Sequence, residues 1–153
     1  MRNKDDIDAY LGKSPYTYEE LEENTWLVHD ASLEGSPENV VIRLSDDIVL
    51  FRVNVLDLEE VPAQVRGELF AMLLELNATD MVHGAYGVQL SGSAAPKERS
   101  SHAQSRLNAA GKVMLTSSMR LENLDYSEFV GTLDDFTVAL AKHHELIASF
   151  AKP

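Results

Sequence analysis

The chain has 153 residues, enough for one domain with a proper core. Its 44% hydrophobic and 25% charged content is ordinary for a globular protein. Net charge is −12, from 13 basic and 25 acidic residues. That balance argues against nucleic acid or an anionic membrane surface as the main partner, because phosphate contacts need clustered Lys and Arg. There is no cysteine, so disulfides, thiolate metal sites and cysteine nucleophiles are excluded. No apolar run approaches the roughly 20 residues of a membrane span. The start, MRNKDDIDAY, is too polar for a signal peptide, and the expected location is cytoplasmic.

Asn3 can cap a short first helix with Ile7, Tyr10 and Leu11 on its apolar side and Gly12 as its stop. In SPYTYEELEEN, Thr17 and Glu20 have capping-box spacing, and Tyr16 and Leu21 have staple spacing. The stretch reads as a helical turn or as extended chain. Three strands follow: TWLVHDASL, ENVVIRLS with Val40, Ile42 and Leu44 on one face, and DIVLFRVNVLDL. The last is apolar on both faces at its start, which suits a central strand. Ser36-Pro37 and Ser45-Asp46-Asp47 supply turns, short enough for antiparallel hairpins.

Residues 62 to 77 read as a helix with two apolar faces. Residues advance by about 100° each. Val65, Leu69, Met72, Leu73 and Leu76 therefore share one side, while Ala63, Gly67, Phe70, Ala71 and Leu74 fall on nearly the opposite side. Pro62 suits the first turn and Asn77 the stop. The first face suits the sheet. The second is lined by small residues spaced by four, which would let another helix approach closely. It is the expected homodimer or partner interface, with packing inside the same chain as the alternative.

A fourth strand fits DMVHGAYGVQL, anchored by Val82, Tyr86, Val88 and Leu90, with Gly84 and Gly87 suggesting a bulge or a close backbone approach. Residues 91 to 112 carry Lys97, Arg99, Arg106 and Lys112 against Glu98 alone, and read as a mobile loop. KVMLTSSMRL makes a fifth strand. The final helix opens on Asp125 and Glu128, a D-x-x-E capping box, with Leu124 stapled to Phe129. Tyr126, Phe129, Val130, Leu133, Phe136, Leu140 and Ile147 form its stripe. The order α-β-β-β-α-β-β-α, dominated by hairpins, predicts an α+β domain over residues 1 to 153: a five-stranded antiparallel sheet with helices packed on it.

Chemistry-bearing residues are scattered. His29, His83, His102, His143 and His144 show no metal-ligand spacing. His83 reads as a partly buried structural histidine, and His144 as the one that lines up with the apolar stripe. Asp46-Asp47 and Asp134-Asp135 read as solvated pairs, and Glu19, Glu20, Glu22 and Glu23 as a solvated face or an acidic patch for a basic partner. HGAYG lacks the spacing of a phosphate loop. Ser91-Gly92-Ser93 has no base placed near it by motif. No catalytic, cofactor-binding or metal-binding residue is assigned.

Trp26-Leu27-Val28, LLELNA at 73 to 78, HGAYGV at 83 to 88 and LENLDYSEF at 121 to 129 carry a family resemblance. Together with the element order, acidity and small size, they make the chain resemble the type III secretion chaperone fold. The closer resemblance is to the YbjN-type proteins of the Tir-chaperone-like superfamily, which also place an LL-x-x-N helix end before a strand with a Gly-containing turn. The resemblance spans about residues 3 to 150; the 91 to 112 loop is longer than the family suggests. It implies a non-enzymatic, dimeric, protein-binding module, chaperone-like or adaptor-like, with no catalytic residues to carry over. The alternatives are a regulatory partner of one bacterial stress-response protein, and a small-ligand-binding protein or enzyme using His83 and Tyr86.

Overall fold

The computed structural model describes residues 2–29, 39–91 and 110–151. The loop expected at 91 to 112, His102, the Ser36-Pro37 turn and the end of the first predicted strand lie largely or wholly outside the described residues. The elements are α1 (Lys4–Lys13), β1 (Thr17–Glu22), β2 (Thr25–His29), β3 (Val40–Ser45), β4 (Ile48–Asp57), α2 (Ala63–Thr79), β5 (Ala85–Leu90), β6 (Gly111–Arg120) and α3 (Tyr126–Ala148). Short 3₁₀ turns at Leu58–Glu60 and Leu121–Asn123 lead into the two longer helices.

The sheet has six strands, not five, in the order β1-β2-β3-β4-β6-β5, every neighbour antiparallel. The added strand is β1, where a helical turn had been one of two readings. Asn24 explains it. Its φ of +63° lies in the left-handed region that Asn tolerates, and it turns β1 directly back onto β2. Asp46, at φ +54°, does the same between β3 and β4. All six residues of β1 are exposed, so it carries none of the apolar alternation by which a strand is recognised.

β4 is central, between β3 and β6, and carries Val49, Phe51 and Val53 into the core. Trp26 and Ile42 lie in register beside Phe51 on the same face. α3 covers them. Its Phe129 and Phe136 rings stand 5.5 and 6.4 Å from the Phe51 ring, within the range of favourable tilted aromatic contacts. Asp125 caps this helix by accepting from the Glu128 N–H at 2.8 Å, as its sequence predicts. α1 lies against α3 through Tyr10, 5.5 Å from Phe129, and Trp26 Nε1 donates to Asp8 at 2.8 Å. The buried apolar residues of all three helices belong to this one core.

Several local expectations change. α1 runs past Gly12 to Lys13. α2 starts after Pro62, which is its N-cap, and runs past Asn77 to Thr79. β5 begins only at Ala85, so His83 precedes it, and Val82 is 81% exposed rather than an anchor. Gly84 does mark a close approach. Its φ is +81°, and a Cβ there would lie 2.8 Å from both the Phe136 ring and the Thr116 carbonyl oxygen. Gly87 has open space, and register shifts fall instead in β1, between Glu20 and Glu22, and in β4, between Asn54 and Leu56.

Replacing Phe51 by Ala removes the ring on which both α3 phenylalanines rest. The expected loss is about 3–5 kcal/mol, read from the urea midpoint at unchanged slope.

Candidate functional site

α2 is tied at its start to the turn that feeds it and at its far end to the edge strand β5. At the start, Arg66 is 6% exposed although it lies on a seam between the two apolar faces. Its Nε donates to the Val61 carbonyl at 3.0 Å and an Nη to the Leu58 carbonyl at 2.5 Å, so it satisfies the backbone of the turn that feeds the helix. At the far end, Asn77 reads the edge of β5. Its side-chain oxygen accepts from the Tyr86 N–H at 2.7 Å and its Nδ2 donates to the Tyr86 carbonyl at 2.9 Å. The residue expected to stop the helix therefore serves as a backbone clamp on an edge strand.

Between these ends the two faces separate as the spacing predicts. Leu69 and Leu73 are buried, and Val65, Met72 and Leu76 pack half-buried against the core. On the other face, Gly67, Ala71 and Leu74 are exposed, Leu74 by 68%. Ala63 and Phe70 are half-buried, and Phe70 touches the core. A Cβ on Gly67 would meet nothing within 4 Å.

Tyr86, buried, anchors a second cluster. Its hydroxyl lies 2.8 Å from His143 Nδ1, and His143 Nε2 lies 2.6 Å from Asp80 Oδ2. Asp80 is the C-cap of α2 and also accepts from Lys142 at 2.8 Å. A carboxylate only accepts, so Nε2 carries the proton toward Asp80. In the neutral imidazole, Nδ1 then accepts from the tyrosine hydroxyl, so both ring nitrogens and the hydroxyl are paired. His143, not His144, is thus the buried histidine of α3, at 3% exposure. Helical spacing pointed to His144; the polar partners on α2 and β5 place His143 there instead. The Lys142 hydrogen bond first, and the His143 one second, hold the Asp80 carboxyl below the usual carboxylate range. Burial first, and the Asp80 charge second, push the Tyr86 hydroxyl up.

His83 is half-buried as expected, but Asp135 is not simply solvated: the two side chains bond to each other, joining the turn before β5 to α3. Asp134 accepts from Tyr16 and Asp47 from Arg120, the latter at 3.0 Å. A hollow of about 250 Å³ lies between the end of α2 and α3, lined by Thr79, Asp80, Met81, Val82, Asp135, Val138, Ala139 and Lys142. Neither His83 nor Tyr86 lines it. Among the described residues no three His, Asp or Glu side chains group as a metal would require, and no helix is long and apolar enough to cross a membrane.

The family model CesT_Tir_1, that of the type III chaperone-like proteins, matches residues 1–95. The chain belongs to this family. Among solved structures it is similar to that of YbjN from E. coli, a candidate transcription regulator. The two share 12% identity and superpose with a TM-score of 0.64 over 99% of this chain and 97% of the other. A search of the curated proteins finds no match. YbjN has the same α+β architecture, and family membership supports a protein-binding role of the chaperone or adaptor kind.

Asn77→Ala should cost about 1–3 kcal/mol in thermal or urea unfolding, because it strips both partners from the Tyr86 backbone at a covered edge. The pH dependence follows from the two shifts. Asp80 is depressed in the fold, so its contribution is present above the ordinary carboxylate value and is lost as pH falls through the folded one. Tyr86 is raised, so its contribution is present below the ordinary tyrosine value and is lost as pH climbs beyond it. Melting temperatures of Asp80→Asn and Tyr86→Phe should therefore flatten the acid and alkaline limbs of the wild-type profile respectively.

Proposed function

We propose that this protein is a non-catalytic binding module, chaperone-like or adaptor-like, that acts as a homodimer through the outer face of α2. The observation that carries the reading is Leu74, a large aliphatic side chain 68% exposed in the middle of a helix clamped at both ends. Exposed Ala71 and Gly67 extend the same face toward Ala63, spaced by four, and Phe70 borders it. Small residues at that spacing let a second helix come close, and Leu74 adds about 1.5–3 kcal/mol if a partner buries it fully. Family membership supports the protein-binding part of the reading.

Among the described residues, His83 and Tyr86, the pair named for the ligand-binding or enzymatic alternative, both stay outside the hollow between α2 and α3. His83 and Tyr86 are each engaged in hydrogen bonds within the chain. A dedicated stress-response partner remains a form of the same reading, distinguished by a pull-down from the native host. One stoichiometric protein would favour it, and several substrates would favour a chaperone.

Light scattering tests the dimer. Wild type should be dimeric at tens of micromolar, and Gly67→Glu or Leu74→Asp should yield a folded monomer, since neither position is buried in the single chain. A monomeric wild type would refute this use of α2. Gly67→Ala has the opposite sign for the monomer: with open space at its Cβ, the substitution should add about 0.5–1 kcal/mol of stability from helix propensity alone.

A further inference from the structure

The sheet has two faces, and the core uses one. On the other, alternation places Leu27 and His29 of β2, Val41 and Arg43 of β3, and Ile48, Leu50 and Arg52 of β4. Leu27, Val41 and Arg52 form one cross-strand row, and Thr25, Arg43 and Leu50 the next. Leu27, Val41, Ile48 and Leu50 are half-buried among their own neighbours but take no part in the core cluster, to which the buried apolar residues of every helix belong. The result is an aliphatic strip across three strands, on the sheet face away from the described helices.

Two exposed arginines stand on that strip. Arg43 and Arg52 are diagonal neighbours, since Arg43 faces Leu50 and Arg52 faces Val41. Like charges so placed repel each other. The chain has 25 acidic residues, yet neither arginine is in an ion pair or hydrogen bond among the described residues, whereas Arg120 on the same sheet pairs with Asp47 at 3.0 Å. Thr116 and Ser118 of β6 continue the face with small polar groups, and Glu19 and Glu22 stand at its β1 rim.

We propose that this open face binds an acidic amphipathic segment of a partner protein. Aliphatic side chains of the segment cover Leu27, Val41 and Leu50, and its carboxylates take the forked guanidinium donors of Arg43 and Arg52. The inference rests on the protein-binding reading above but not on the α2 dimer. The overall negative charge does not oppose it, because screening over about 8 Å at physiological ionic strength leaves the local pair dominant. Nucleic acid fits less well: two arginines on an aliphatic floor make too few phosphate contacts.

The test is selection from a displayed library of random peptides about 20 residues long, the scale of a helix or strand segment laid in a groove. Wild type should enrich net-acidic peptides with regularly spaced aliphatic residues. The best of them, made synthetically, should bind Arg43→Glu/Arg52→Glu at least about tenfold more weakly by fluorescence anisotropy, and should weaken as salt rises. Leu50→Ser should weaken it too, with circular dichroism unchanged in both variants. Enrichment of basic or neutral peptides, no enrichment, or equal affinity for the double arginine variant would overturn the proposal. So would flotation of wild type, but not of that variant, with phosphatidylglycerol–phosphatidylcholine vesicles. A dimeric wild type that selects no acidic peptide sinks this inference alone; a monomer that selects them sinks only the dimer.

Discussion

The hydrogen-bonded series Asp80–His143–Tyr86, with Asn77 gripping the same tyrosine's backbone, is the constraint on which the arrangement of surfaces depends. It binds the end of α2, the edge strand β5 and the C-terminal third of α3 at one point. Each tie satisfies a group that would otherwise be costly at a covered site. Arg66 ties the start of α2 to the turn that feeds it, and Leu69 and Leu73 face the core while Leu74 faces outward. An exposed leucine on a loose helix would turn inward. Here it is held out.

This polar network also explains an asymmetry in the fold. α3 covers the centre of the sheet by aromatic packing on Phe51, a contact that needs shape but little direction. α2 sits at the periphery, where less apolar area is available, and is placed by hydrogen bonds, which do have direction. The α+β plan of this chain thus combines an apolar centre with a line of polar contacts at one side.

Much of this was legible in the sequence. The Asp125 cap, the α3 stripe, the central position of β4 and the division of α2 into two faces all follow from spacing. What spacing did not show were features set by partners far along the chain. The burial of Arg66 leaves no trace in helical spacing because its carbonyl acceptors lie outside the helix. Asn77 read as a helix stop because its real partner is nine residues on, in another element. His144 was read as the stripe histidine because the partners that draw His143 inward, Tyr86 and Asp80, lie on other elements. β1 was missed as a definite strand because it buries nothing; Asn24 before the Trp26 strand was the signal that could have found it.

That same strand governs what the sheet does at its far margin. An edge strand offers unsatisfied backbone groups to any other strand, the usual route to open-ended aggregation. β1 carries Glu19, Glu20 and Glu22 there, with only Glu20 neutralised by Lys4 at 2.8 Å. Two copies meeting margin to margin would set carboxylates against carboxylates, so the sheet is discouraged from growing into a ribbon. A sheet margin without those charges would invite sheet-to-sheet polymerisation.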